Sequence, residues 1–135
     1  MVSLEHVQQA VIDKLKLDVP LVTAVGLEIR ESSWQGTEFA YPAIRIALGV
    51  VKSSNDGCRS RISIDVQCFS EEASSLQTLQ LIDLVTEAVE GIQLHDATFR
   101  TLDLWIDTVM PPFRSNPRIW RGDVYFATEA YEVGP

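Results

Sequence analysis

Two strand-like runs joined by a tight turn constrain this chain more than any other feature. The second run, residues 59–69, alternates isoleucine, valine and cysteine with polar residues, which is the period of a strand with one buried face. The first run, residues 43–52, is equally apolar, and the segment between them carries Asn-Asp-Gly, which is typical of tight reversals. The pattern predicts a long antiparallel hairpin whose polar tip projects beyond the core.

Two amphipathic segments flank this hairpin. Residues 3–17 carry apolar side chains at spacings of three and four, with Ser3 as a plausible N-cap, which predicts a first helix. Residues 71–90 have a broad apolar face and predict a second helix, with Ser70 as the N-cap and Gly91 as the C-terminal cap.

Shorter patterns complete the fold. Residues 27–30, 102–107 and 120–128 alternate like strands, and Pro20 is expected to end the first helix. The connection 110–119 contains three prolines and is expected to be a long irregular loop. The order of elements predicts an α+β fold: a mostly antiparallel sheet with two helices packed on one face and a long projecting β-hairpin.

Length and charge exclude several classes of protein. A chain of 135 residues is expected to form a single domain over residues 1–135. Its net charge of −8 at pH 7 repels phosphate backbones, which argues against a nucleic-acid-binding protein. No apolar run approaches the length of a membrane span, and the N-terminus lacks the basic start of a signal peptide. We therefore expect a protein that is made and folded in a cytoplasm.

The sequence offers no constellation typical of catalysis, cofactor binding or metal binding. His6 and His95 have no second imidazole or thiol at ligand spacing, and Cys58 and Cys68 fit no metal pattern. No serine lies in a nucleophile elbow, and no glycine-rich loop could hold a phosphate. We interpret the chain as a non-enzymatic protein without a cofactor or a metal.

Ten side chains are candidates for contacts with a partner. They belong to the tip of the hairpin, to an aromatic loop after the first strand, and to an arginine cluster that spans eight residues without an acidic group: Lys52, Asn55, Asp56, Arg59, Arg61, Trp34, Phe39, Arg114, Arg118 and Arg121. The aromatic residues either cover the domain's own core or dock on a neighbour. The arginines either meet an acidic partner surface or lie in a solvated loop.

Several short segments follow one another in a recognisable order over residues 1–90. The first segment ends the first helix, and the next two lead into the following strand: Asp18-Val19-Pro20-Leu21, Val25-Gly26 and Leu27-Glu28-Ile29. The last two lead into the hairpin and into the second helix: Tyr41-Pro42-Ala43-Ile44-Arg45-Ile46 and 64–73. In this order the chain resembles the tail-completion or tail-terminator proteins of long-tailed bacteriophages.

The resemblance implies a structural protein of the virion that is assembled in the cytoplasm of a host bacterium. Such proteins form a ring, typically hexameric, at the head-proximal end of the tail, where they end tail-tube growth and provide the surface for head attachment. The implied partners are other copies of the chain, the tail-tube protein and the head–tail connector or neck proteins. DNA would pass through the channel without specific binding.

Two alternatives stay open. The chain could be a head–tail joining (neck) component or a tail-tube component, because these proteins have similar small α+β plans. It could also be a small enzyme or ligand-binding domain, with a pocket near Trp34, Tyr41 and Trp105.

Overall fold

The computed structural model describes residues 2–34, 40–53 and 59–133. Three helices and six strands follow one another along these residues: α1 (Leu4–Lys16), α2 (Val19–Val25), β1 (Ile29–Glu31), β2 (Ala43–Ser53), β3 (Arg59–Ser70), α3 (Leu76–Val89), β4 (Phe99–Thr101), β5 (Trp105–Asn116) and β6 (Ile119–Glu132). The predicted α+β class is confirmed, with one helix more than expected.

The strands form one six-stranded sheet with β3 and β6 at its centre. β1 pairs in parallel with β2, and the other pairs are antiparallel. Because β3 borders β6 from Trp120 to Tyr131, β5 and β4 lie one after the other along the remaining edge of β6. The pairing of β2 with β3 confirms the long hairpin. β6 flanks this hairpin as far as Arg59, and the tip, residues 54–58, lies outside the described residues.

The helices lie against one face of the sheet and share its core. Ile62, Ile64, Val66 and Cys68 of β3 are fully buried and form one hydrophobic cluster with the inner faces of α1 and α3. Burial also raises the pKa of the Cys68 thiol, which fits its interpretation as a small buried hydrophobe. Because a buried aliphatic side chain contributes about 1.5–3 kcal/mol, this layer supplies most of the stabilisation of the fold.

The first helix begins where the sequence predicts, and a short second helix follows it. The Ser3 hydroxyl accepts the backbone N–H of His6 at 3.4 Å. Asp18 then caps α2 by accepting the backbone N–H of Leu21 at 3.1 Å. Pro20 lies in the first turn of α2, where a helix needs no N–H donor. This proline therefore lies at the start of a helix. The sequence pattern predicts only that it ends the preceding one.

The third helix begins later than predicted. β3 continues through Ser70, which pairs with Trp120, and the Ser70 hydroxyl lies 2.7 Å from the hydroxyl of Thr78 in the core. The prediction of Ser70 as N-cap is therefore wrong, and α3 begins after Ser75. A strand-ending serine and a capping serine look alike in the sequence. Gly91 follows the helix with φ +79°, which confirms it as the C-terminal cap residue.

A second long hairpin is the largest departure from the sequence prediction. The connection 110–119, predicted to be an irregular loop, consists mainly of the end of β5 and the beginning of β6. Pro111 and Pro112 fall where the register shifts between Met110 and Phe113. A proline can occupy such a bulge on an edge strand because no partner needs its missing N–H. The prolines therefore mark irregularities within a strand.

The shorter strands are displaced from their predicted bounds. The run 27–30 corresponds to β1 at Ile29–Glu31, and the run 120–128 lies within the longer β6. The single strand predicted at 102–107 is wrong, because β4 ends at Thr101 and β5 begins at Trp105.

Candidate assembly surface

The described helices all lie on one side of the sheet, which leaves the other side without a helical layer. We call this second side the open face. The strand register assigns to it the following side chains: Arg30, Ala43, Arg45, Ala47, Lys52, Arg59, Arg61, Ser63, Asp65, Gln67, Phe69, Arg100, Trp105, Thr108, Met110, Phe113, Arg121, Asp123, Tyr125, Ala127, Glu129 and Tyr131.

On the open face, an arginine forms a bidentate ion pair with a buried carboxylate. Nε and Nη2 of Arg121 donate to Oδ1 and Oδ2 of Asp123 at 2.9 and 2.8 Å, and Asp123 is fully buried. The Tyr125 hydroxyl donates to the same carboxylate at 3.3 Å. Asp65, on the neighbouring strand, accepts a hydrogen bond from Gln67 at 3.0 Å and lies 3.9 Å from Arg121. One cation therefore serves two carboxylates.

Burial raises the pKa of Asp65 to about 6. The hydrogen bond from Gln67 opposes this shift, whereas the nearby carboxyl of Asp123 adds to it. Oδ1 of Asp65 is buried without a hydrogen-bond partner within the described part of the chain. The hydrogen bonds that Arg121 donates to Asp123 raise the pKa of the guanidinium. Asp65 thus gains or loses its proton just below neutral pH.

Trp34 lies over two arginines at the β1 side of the open face. The guanidinium carbons of Arg30 and Arg45 are 4.0 and 5.5 Å from the centroid of its ring. Both guanidinium groups also approach the carboxylate of Glu28, at 3.8 Å from Arg30 and 2.7 Å from Arg45. Trp34 therefore covers side chains of its own chain, and its contact with a partner stays a prediction.

Two cations face each other at the end of the open face nearest the β2–β3 turn. Lys52 and Arg61 are directly paired across the two strands. They line a groove of about 290 Å³ together with Asp107 and Ala127. Like charges directly opposite one another destabilise an antiparallel pair. This arrangement favours the approach of a negatively charged group from outside.

Large apolar side chains lie along β5 beside the central charges. Trp105, Met110 and Phe113 keep 39%, 42% and 38% of their surface exposed. The Arg121 guanidinium lies between two rings, 5.6 Å from the centroid of Phe69 and 5.9 Å from that of Phe113. Aromatic residues, methionine and arginine are enriched in the centres of protein–protein interfaces.

The other two arginines of the predicted cluster lie at the tip of the β5–β6 hairpin. Arg114 donates to the Pro117 carbonyl at 2.7 Å and stacks on Trp120, 4.5 Å from the ring centroid. Arg118 is exposed in the turn, and its backbone N–H donates to Oδ1 of Asn116 at 2.8 Å. The cluster is therefore divided, since Arg121 belongs to the open face.

Apart from Trp34 and Arg121, the described candidate residues form two groups at opposite ends of the central strands. At one end β3 begins with Arg59, close to Lys52 and Arg61, and at the other end it finishes beside the tip that carries Arg114 and Arg118. The twelve residues of β3 span about 40 Å at about 3.3 Å per residue. Three further candidates lie outside the described residues: Phe39, Asn55 and Asp56.

Sequence reasoning missed the central charges of the open face. Asp65 and Asp123 occupy the polar positions of two alternating runs, which we interpreted as ordinary solvent-facing positions. What makes them notable is the register of β3 with β6, which places Gln67 opposite Asp123 and Asp65 opposite Tyr125. No single strand contains this information. The one available signal was an aspartate at the midpoint of an otherwise strong strand pattern.

The helix side carries a second concave region, between α1 and the segment 93–96. This groove has a volume of about 520 Å³. Nδ1 of His6 lies 2.9 Å from Oδ2 of Asp96 and 3.0 Å from the Thr98 hydroxyl, which ties α1 to the loop before β4. Over residues 2–34, 40–53 and 59–133, no group of three or more His, Cys, Asp and Glu side chains is arranged to hold a metal ion.

No helix in the described ranges combines the length and the apolar character needed to cross a membrane.

Comparisons with known proteins give a likeness in structure. No protein-family model matches this sequence, and no curated protein matches it. Among solved structures, the chain is similar to a component of the virion of a native gene transfer agent particle, with a TM-score of 0.72 and 19% sequence identity. The likeness covers 93% of this chain and 94% of the other chain. At this level of identity it establishes that the two chains share a fold.

Proposed function

We propose that this chain is a structural protein of a phage-like particle. In this proposal it forms a ring, of six copies, at the head-proximal end of a tail, ends the growth of the tail tube and provides the surface to which the head attaches. The observation that carries the proposal is the fold shared over 93% of this chain with a virion component of a gene transfer agent particle. The resemblance of residues 1–90 to tail-terminator proteins supports the position at the end of the tail.

The surface of the chain is compatible with this role. The open face presents Trp105, Met110 and Phe113 beside an arginine, a composition typical of protein interfaces. The net charge of −8 suits a ring around a DNA channel, because like charge disfavours binding to the phosphate backbone. The proposed partners are other copies of the chain, the tail-tube protein and the connector or neck proteins.

Deletion of the gene from a strain that produces the particle tests the proposed position. A tail terminator predicts abnormally long tubes in electron micrographs, and the plasmid-borne gene should restore the normal length. Tails of normal length that fail to join heads would assign the chain to the neck instead. Loss of all tubes would make it a tube component, and unchanged particles would contradict every virion role.

The tip of the β5–β6 hairpin offers a narrower test of contacts with neighbouring proteins. We expect Arg118→Glu to reduce restoration of normal tails by the plasmid-borne gene, because it reverses an exposed charge at the tip. This side chain makes no contact with the buried Asp123, so the fold should be unaffected. Lys16→Glu on α1 gives the same change in net charge at a distant place and serves as the control. Full restoration by Arg118→Glu would mean that the tip is solvated.

A further inference from the structure

The charges of this chain are divided between the two sides of the molecule. The helix side, residues 3–25 and 71–90, contains eight carboxylates and only two lysines: Glu5, Asp13, Asp18, Glu71, Glu72, Asp83, Glu87, Glu90, Lys14 and Lys16. The open face holds seven of the eleven Lys and Arg side chains: Arg30, Arg45, Lys52, Arg59, Arg61, Arg100 and Arg121. The helix side therefore has a formal charge of −6, whereas the open face, whose carboxylates are Asp65, Asp123 and Glu129, has a formal charge of +4.

The carboxylates on the outer surface of α3 form no ion pair within the described part of the chain. Asp83 and Glu87 lie four residues apart on the same exposed side of the helix, and Glu90 follows at its end. None of the ion pairs among the described residues involves any of the three. Repulsion between like charges at this spacing destabilises a helix slightly, so these carboxylates weaken the isolated chain.

The basic end of the open face has more cations than carboxylates. Lys52 and Arg61 stand opposite one another and Asp107 lines their groove, whereas Glu129, opposite Arg61 on β6, forms an ion pair with Arg59 at 3.6 Å. Lys52 and Arg61 are both exposed. Each side of the molecule thus carries a like-charge pair whose repulsion would be relieved by the opposite side of another copy.

Apolar side chains accompany the charges on both sides. Leu76 and Leu79 of α3 keep 60% and 44% of their surface exposed, and Trp105, Met110 and Phe113 are exposed on the open face. Charge complementarity fixes the orientation of an interface, and buried apolar area contributes most of its affinity. The two sides supply both requirements.

We propose that the open face of one copy receives the α3 side of a second copy of this chain, with Asp83 and Glu87 approaching Lys52 and Arg61. The inference rests on the proposed function, because it specifies how copies associate within the ring. An interface between two different faces is heterologous, and repetition of it closes a ring when the rotation between copies permits. Copies therefore associate head to tail.

DNA is a less suitable occupant of the open face. Arg121 is committed to the buried carboxylate of Asp123, and Arg45 to Glu28. Trp105 and Met110 add exposed apolar surface among these groups. A face that grips a phosphate backbone needs several uncommitted cations, since each phosphate contact contributes through its own charge.

A charge-swap experiment tests the proposed pairing. One variant carries Lys52→Glu and Arg61→Glu, and the other carries Asp83→Lys and Glu87→Lys. Each alone places like charges at the interface, and we expect association measured by analytical ultracentrifugation to weaken at least about 100-fold. An equimolar mixture should restore assembly, because acidic open faces then meet basic α3 faces and the unaltered faces also match. All four substitutions in one chain should restore it as well.

The control separates charge at the interface from net charge. Lys14→Glu and Lys16→Glu change the net charge by the same amount as the variant of the open face, but they make the helix side more acidic. We expect assembly to be retained. Circular dichroism checks that each variant folds. If the open-face variant fails to fold, the α3 variant still tests the pairing independently.

The outcomes distinguish this inference from the proposed function. If the wild-type protein assembles and each of the two single-face variants also assembles by itself, the inference is overturned but the proposed function is not. So would single-face variants that fail to assemble and are not restored by mixing. Wild-type protein that stays monomeric, even beside purified tails, would contradict the proposed function and the inference with it. Binding of double-stranded DNA that is lost in Lys52→Glu/Arg61→Glu, with assembly unchanged, would assign the open face to nucleic acid.

Discussion

The two faces of the sheet are built from the same strands and have opposite chemistry. Toward the helices, Ile64, Val66 and Phe126 are fully buried in one apolar cluster. Away from the helices, the same strands present Asp65 and Asp123, whose charges depend on Arg121. The covered face therefore stabilises the fold by excluding water. The open face holds charged groups at some cost to the isolated chain, which is expected of a surface that serves association.

Removal of the arginine at the centre of the open face should have the largest effect on stability. Arg121→Met leaves the fully buried Asp123 without its cation. A carboxylate left alone in this way typically costs about 3–5 kcal/mol, and we expect about 3 kcal/mol because the arginine is partly exposed. Urea denaturation measures the loss. Arg118→Met, in the exposed turn, should leave the midpoint unchanged, and equal losses in both variants would contradict the role of the Arg121–Asp123 pair.

Crowding of the covered face should have the next largest effect. A Cβ atom on Gly122 would lie 2.7 Å from Cδ1 of Ile82 and 3.2 Å from Cγ2 of Thr78, so the end of the Ile82 side chain would have to turn away and Thr78, hydrogen-bonded to Ser70, would have to shift slightly. We expect Gly122→Ala to cost about 2 kcal/mol of unfolding free energy. The double variant with Ile82→Val removes the clashing methyl group and should recover part of this loss. Simple additivity of the two variants would contradict the close approach.

The carboxyl pair on the open face should give the protein an unusual dependence on pH. The pKa of folded Asp65 is raised to about 6, above its ordinary value of 3.8, so the folded chain binds this proton more tightly than the unfolded chain. The stabilisation from this proton is complete below about pH 4 and is lost as pH rises through about 6. We expect Asp65→Asn to raise the unfolding free energy by about 1–2 kcal/mol at pH 8.

The comparison at lower pH is the control for this prediction. Below about pH 4 the carboxyl of Asp65 is largely protonated in both the folded and the unfolded chain and resembles the amide of the variant, so at pH 3.5 the two proteins should be almost equally stable. Thermal unfolding at both pH values measures the difference. A variant that is equally stabilised at pH 3.5 and pH 8 would contradict the raised pKa of Asp65.

The smallest effect is expected at the basic end of the open face. Lys52 lies directly opposite Arg61, and like charges in this position destabilise the pair of strands. Lys52→Gln should therefore raise the unfolding free energy of the monomer by about 0.5 kcal/mol. Differential scanning calorimetry in dilute solution, where copies do not associate, measures this gain. A loss of stability would mean that Lys52 is satisfied within its own chain.

The sequence determined the covered face far better than the open face. Alternation in β3 and the apolar spacing of α1 identify which side chains are buried, because each pattern lies within one continuous segment. Asp65 and Asp123 are 58 residues apart, and only the register of two strands brings them together. Arg121 was singled out as part of a cluster with Arg114 and Arg118, but its partner is two residues away on its own strand.

The errors in the predicted fold have local physical causes. Prolines were interpreted as breaks, although Pro20 occupies the first turn of a helix and Pro111 a bulge on an edge strand. Ser70 was interpreted as a cap, although its hydroxyl is satisfied by Thr78 in the core. In each case the side chain satisfies a requirement of the backbone or the core that depends on contacts made elsewhere in the chain.

Cross-linking between cysteines tests most directly whether the two faces of neighbouring copies meet. In a Cys58→Ser background, Thr108→Cys places a thiol on the open face and Gln80→Cys places one on the exposed side of α3. Cys68 remains in this background but is fully buried, so the introduced cysteines are the accessible thiols among the described residues. We expect a flexible bismaleimide to join chains carrying both introduced cysteines into a ladder of covalent oligomers, and not to cross-link chains carrying only one of them. Assembled protein that gives dimers from a chain with one introduced cysteine, or no ladder from the double variant, would contradict the pairing of the two faces.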